Sequence, residues 1–137
     1  MSVVFKDFTK IVLDKIQETG EQFLEEVGGE VEAQTKQNTK VALVDGGKTK
    51  GSWEHVVHEH KLEAEIGSRY KNALWEEFGT GIYALNGNGR KTKWVYKTPD
   101  GKYHTTVGKK PRRALYNAYN TKKNQIINEA KRRFKDL

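Results

Sequence analysis

Asn72-Ala73-Leu74-Trp75-Glu76-Glu77-Phe78-Gly79-Thr80-Gly81 stands near the middle of the 137-residue chain and divides two kinds of sequence. Leu74, Trp75 and Phe78 are large enough to anchor in a core. The run then breaks on glycine, which reaches φ values closed to other residues. This order predicts a fixed apolar anchor leading into a mobile polar loop, a common place for binding groups because rigid scaffolds carry them on loops. The plainer alternative is a core segment followed by an ordinary turn. Upstream the chain reads as a long helix and a hairpin. Downstream it reads as a polar loop, a second hairpin and a basic helix.

The upstream helix is written in Phe5, Phe8, Val12, Ile16, Phe23, Val27 and Val31, an apolar stripe near steps of three and four with an acidic outer face. It starts between Ser2 and Asp7. Gly20 interrupts the stripe and predicts a kink or close packing, and Gly28-Gly29 predicts a break, since each glycine costs up to about 1 kcal/mol relative to alanine. The polar run Glu30 to Lys40 returns to helix. Val41-Ala42-Leu43-Val44 then enters the turn Asp45-Gly46-Gly47-Lys48. Trp53 to His58 and the alternating Leu62, Ala64 and Ile66 follow as two strands of a hairpin.

Gly79 to Thr92 has no clear period, and a loop of that length is usually functional or disordered. Lys93 to Lys97 and Lys102 to Thr106 flank Thr98-Pro99-Asp100-Gly101, where proline, aspartate and glycine each favour a tight turn. Pro111 fits the first turn of the last helix, whose apolar stripe is Leu115, Ala118, Tyr119, Ile126, Ala130 and Phe134. The expected fold is α+β. A long N-terminal helix and a basic C-terminal helix pack on one face of a small antiparallel sheet made from two hairpins, in one domain spanning 1–137.

Net charge is +7, and its distribution is uneven. Met1 to Ala33 carries eight carboxylates against three lysines, whereas Lys109 to Leu137 carries ten lysines and arginines against Glu129 and Asp136. Such asymmetry points to nucleic acid, to an acidic partner, or to the two ends packing side by side. The absence of cysteine excludes disulfides and thiolate metal sites. No apolar run approaches the roughly 18 residues of a membrane span, and the first residues lack the order of a secretion signal. A soluble intracellular protein is expected.

His55, His58 and His60 cluster in sequence, but on a strand only His58 and His60 share a face. Without cysteine or a helical HExxH, they read as solvated strand histidines rather than metal ligands. Glu76 and Glu77 are adjacent carboxylates, not the opposed pair that acid–base catalysis needs. No nucleophile or phosphate-binding glycine pattern stands in a recognisable setting, so neither an enzyme nor a cofactor is expected. The serious competitor is sequence-independent nucleic-acid contact. Lys109, Lys110, Arg112, Arg113, Lys122 and Lys123 would form a charged groove, and Trp94, Tyr96 and Tyr103 would be stacking platforms.

The elements also occur in a familiar order. Val44-Asp45-Gly46-Gly47-Lys48 precedes Ser52-Trp53, then comes Ala73-Leu74-Trp75-Glu76-Glu77-Phe78-Gly79-Thr80, and Gly108-Lys109-Lys110-Pro111 opens a helix with Leu115 and Ala118. Across nearly its whole length this resembles the tail-completion, or head–tail joining, family of long-tailed bacteriophages. The specific part is Glu77-Phe78-Gly79-Thr80. Gly46 replaces the usual Thr of the turn, Thr49 replaces the apolar residue after it, and Asn72 replaces the Tyr before Ala73. The resemblance implies a structural virion protein, assembled in the host cytoplasm, that completes the tail at the head–tail interface. It implies a ring, hexameric by analogy, around the channel that DNA traverses. Its partners would be a tail-tube or tail-terminator protein and the head connector.

A ring is built from heterologous contacts, and the oppositely charged ends of the chain are candidates for its two faces. The Gly79–Thr92 loop would order against a neighbour. Trp75, Glu77, Phe78, Gly79 and Thr80 would form its root, with Glu77 as charge pair and Phe78 as apolar anchor. Arg90, Lys91 and Lys93 would face an acidic partner or DNA.

Overall fold

The computed structural model describes residues 7–41 and 47–136. Phe5, the expected helix start before Asp7, and Ala42 to Gly46 of the first turn lie outside the described residues. Helix α1 runs unbroken from Thr9–Asn38. A four-residue helix α2, Lys48–Gly51, then leads into strands β1, Glu54–His58, and β2, Glu63–Gly67. Helix α3 covers Lys71–Phe78, with a single 3₁₀ turn at Gly81–Tyr83. Strands β3, Trp94–Lys97, and β4, Tyr103–Thr106, precede helix α4, Ala114–Lys135. Among the described residues no helix is long and apolar enough to cross a membrane.

The α+β class holds, with one refinement. The hairpins form two separate two-stranded sheets rather than one, β1–β2 and β3–β4, each antiparallel. The second hairpin closes as its sequence predicts: Gly101 has φ 86°, and the Asp100 carboxylate accepts the Lys102 N–H at 3.0 Å.

Helix α1 is the spine, with α4 and the β1–β2 hairpin packed against it. Its buried face is Phe23, Val27, Val31 and Thr35, each four residues after the last. The Thr35 hydroxyl returns to the Val31 carbonyl at 2.7 Å, and the Thr39 backbone N–H closes the helix on Thr35 and Lys36. Trp53, 4% exposed, donates its indole N–H to the Thr39 hydroxyl at 3.0 Å. Helix α4 runs antiparallel to α1, since Asn38 meets the Ala114 carbonyl at 3.2 Å while Phe23 meets Phe134 edge-on at 6.1 Å. Ala114 and Ala118, both buried, let the two backbones approach. Arg133 reaches Glu26 across the joint. The two oppositely charged ends of the sequence thus pack side by side, with the Arg133–Glu26 pair between them.

The expected break at Gly28 does not occur, because the space beside Gly20 and Gly28 is filled by the hairpin. A Cβ on Gly28 would lie 2.9 Å from the His55 ring, and one on Gly20 would lie 2.8 Å from a Leu62 methyl. Close packing there offsets the propensity cost of glycine. The two sites differ in give, since Leu62 presents the free end of a rotatable chain and His55 is bonded on both ring nitrogens. Gly28→Ala is expected to destabilise the chain by about 1–3 kcal/mol through overpacking. Gly20→Ala should cost clearly less, and paired urea denaturation curves decide the order.

Candidate functional site

Helix α3 overturns the expected anchor. Leu74, Trp75 and Phe78 are 56%, 50% and 44% exposed, whereas Ala73 and Glu77 are 1% and 5% exposed. Ala73 and Glu77 stand four residues apart, so they share one helix face, and that face is the buried one. The physical reason lies at the start of α4. The first N–H groups of a helix have no partner within it, and the N-cap of α4, Arg113, supplies no side-chain bond. The Glu77 carboxylate supplies it from α3, accepting the Leu115 and Tyr116 N–H groups at 3.0 Å each. A negative charge there also opposes the positive end of the helix dipole.

Arg113 completes this joint. It adopts a left-handed φ of 57°, uncommon for a residue with a side chain. Its Nε lies 3.8 Å from a Glu77 oxygen, and its guanidinium covers the Tyr116 ring at 4.1 Å. Arg113 Nε is buried and has no hydrogen-bond partner. Glu76 grips the same segment from its other side, pairing with Lys109 and, at 3.1 Å, with Arg112. The Arg112 N–H donates to the Glu76 carbonyl at 2.7 Å. Pro111 is therefore in the strapped-down lead to α4, not in its first turn as expected. Glu77 holds the helix, not the loop, and Phe78 is a surface group rather than the loop's apolar anchor.

The loop itself divides. Thr80 N–H bonds to the Lys109 carbonyl at 2.9 Å, Ile82 N–H to the Val107 carbonyl at 3.0 Å, and Leu85 N–H to the Phe78 carbonyl at 3.0 Å. Gly81, with φ 61°, lies so close to the Val107–Gly108 backbone that a Cβ would collide with the Val107 carbonyl oxygen. Its first half is thus fastened by backbone bonds. Asn86, Gly87 and Asn88 remain exposed. Arg90 bonds to the Thr92 hydroxyl at 3.0 Å and lies 5.8 Å from the Trp94 ring, while Lys91 and Lys93 are exposed.

Two clefts result. The first, about 430 Å³, lies between α3 and the start of α4, with Leu74, Phe78, Tyr116 and Tyr119 among its walls. The second, about 650 Å³, is walled by Trp75, Trp94, Tyr96, Arg90 and Lys109. The expected basic groove is divided by comparison. Lys109 and Arg112 are paired with Glu76, Arg113 faces Glu77, and Lys110 lies over the Tyr83 ring at 5.8 Å. Lys122 is half-buried and Lys123 exposed. The Asn72 amide on α3 donates to the buried Thr49 hydroxyl on α2 at 2.7 Å.

The histidines also part company. His55 is not solvated: its Nε2 is 2.7 Å from Glu25 and its Nδ1 is 3.2 Å from Glu32, both on α1. His58 faces Glu65 at 3.3 Å, His60 lies in the turn beyond β1, and His104 stacks on Tyr96. Among the described residues no group of His, Cys, Asp or Glu is arranged to hold a metal. The Glu25 hydrogen bond, and then Glu32, push the His55 imidazole above its ordinary value of 6.5 against the opposing effect of burial. Burial works against the Glu32 carboxylate, yet the His55 bond and Lys36 together hold it below its usual range. At the far end of α4, Arg132 and then Arg133 hold Glu129 down to about 2. No known protein family, curated protein or solved structure matches this chain.

Two outcomes follow from this geometry. Glu77→Ala should destabilise the fold by about 2–3 kcal/mol by leaving buried N–H groups unpaired. Glu76→Ala should cost under about 1 kcal/mol, as expected for more exposed pairs, and thermal denaturation separates the two. A His55 value raised by folding gives stability that is complete below pH 6.5 and lost as pH rises through the folded value. The urea midpoint should accordingly fall as pH rises above 6.5, and His55→Gln should remove that slope.

Proposed function

We propose that this chain is a structural subunit of a long-tailed bacteriophage. It completes the tail end and joins it to the head connector, as one copy of a ring around the DNA channel in the virion. Its contacts are a tail-tube or tail-terminator protein on one side, the connector on the other, and neighbouring copies of itself. The observation that carries this reading is the imbalance between core and surface. The buried apolar set among the described residues is Phe23, Val27, Val31, Trp53 and three alanines, while Leu74, Trp75, Phe78, Tyr103, Tyr116 and Tyr119 stand exposed. Such surface belongs to subunits that finish burying it on assembly. The Asn72–Thr49 bond adds support, because two departures from the family pattern compensate each other in space.

A second reading, sequence-independent nucleic-acid contact, is favoured by the cleft that sets Trp75, Trp94 and Tyr96 beside Arg90 and Lys109. Against it stands the engagement of Lys109, Arg112 and Arg113 with α3. Binding through phosphates would be saturable and fall steeply with salt as counterions are released. An anisotropy titration with single-stranded DNA across salt concentrations separates the readings.

Mixed with purified tails, the protein should form a cap at one end under the electron microscope. Deleting Asn86 to Gly89 should leave a folded monomer that fails to join heads to tails. Normal infectious yield from that deletion would overturn the proposal.

A further inference from the structure

Among the described residues, nothing packs against the first turns of α1. Phe23 already meets Phe134, at the far end of α4, and Gly20 meets Leu62 of the hairpin. Beyond them every residue from Asp7 to Lys15 is exposed. Phe8, Ile11, Val12 and Leu13 are 55%, 65%, 52% and 58% exposed, so this free tip is apolar over half its circumference. A short helix is marginal in water without a partner for its apolar face.

The α3–α4 cleft is the matching socket, and it lies at the opposite pole. Its walls include the start of α4, which meets α1 at Asn38. Some 30 residues of helix, about 45 Å, separate Thr9 from Asn38. Tip and cleft therefore cannot meet within one copy. They can meet between copies, head to tail, the heterologous contact that closes into rings.

We infer that the α1 tip of one copy, with Phe8, Ile11 and Val12 leading, inserts into the α3–α4 cleft of the next copy. Phe8, Ile11 and Val12 have the i, i+3, i+4 spacing of helix-in-groove recognition. Leu74, Phe78, Tyr116 and Tyr119 on the cleft are each close to half exposed. At roughly 150–250 Å² for an aromatic side chain, each partner offers on the order of 400 Å². The areas match, and together they fall below about 1,200 Å², the range of weak, transient contacts. Two free copies hold each other weakly, while a closed ring holds every copy twice. Charge favours one orientation: Asp14 and Glu18 edge the tip beside Ile11, while Arg113 lines the cleft opposite Glu77, Arg69 follows its wall residue Ser68 and pairs with Glu54, and exposed Lys123 stands one helical turn after Tyr119. Lys10 and Lys15 share the tip, so charge sets orientation more than strength.

The contact rests on reading the chain as a ring subunit, and engineered thiols test it separately because the chain has no cysteine. The chain carrying Ile11→Cys and Tyr119→Cys, oxidised mildly with and without purified tails, should give a disulfide ladder of trimers and larger species. Mixing the two single variants should give the heterodimer in excess over either homodimer. Val12→Cys with Leu74→Cys is the second pair, and circular dichroism confirms that each variant is folded. Folded variants of both pairs that give no ladder, or homodimers as abundant as the heterodimer, overturn the contact. A chain that caps tails without cross-linking removes the contact and leaves the proposed function. One that cross-links but never caps tails keeps the contact and removes the function.

Discussion

A single buried carboxylate sets the arrangement of this molecule. Helix α4 begins with amide groups that need an acceptor, and its own N-cap residue provides none. Glu77 reaches in from α3 to accept two of them, which fixes how α3 is turned about its axis. With Ala73 and Glu77 inward, Leu74, Trp75 and Phe78 must face out. Exposed aromatic surface is thus a consequence of placing an acid where an apolar residue would ordinarily go. Hydrogen bonds to an ionised acceptor are strong enough to sustain that exchange.

The same economy runs through the rest of the chain. Helix α1 buries only a narrow row of side chains, and the glycines on it admit His55 and Leu62 so that the hairpin lies close. Ionic contacts then complete the seams: His55 with Glu25 and Glu32 on one side of α1, Arg133 with Glu26 and Glu129 on the other. A small apolar core with polar seams leaves apolar faces of the chain exposed. Two such faces, the α1 tip and the α3–α4 cleft, lie at opposite poles.

Much of this was legible in the residues. The four-residue spacing of Phe23, Val27 and Val31, the alternation of Ala64 and Ile66, and the Pro-Asp-Gly turn each led to the element observed. Gly20 signalled close packing correctly, whereas Gly28 suggested a break because the side chain that fills it, His55, comes from another element. Apolar size misled at Leu74, Trp75 and Phe78, since hydrophobicity alone does not say which helix face has an acceptor to deliver. The signal that was there is the matching interval between Ala73 and Glu77, a small residue and an acid on one face. Arg113 gave no such sign, because its left-handed backbone is set by the strap from Lys109 to Arg112 against Glu76. His55 likewise depended on a partner thirty residues earlier.

The dependence of the whole arrangement on Glu77 is open to direct observation by amide hydrogen exchange in the free, full-length chain. If the carboxylate holds the start of α4, the Leu115 and Tyr116 amides will be protected to a degree comparable with Ala118, buried one turn further on. Exchange at those two amides as fast as in the exposed segment 90–93 would contradict it, and with it the account of why α3 turns its aromatic face outward.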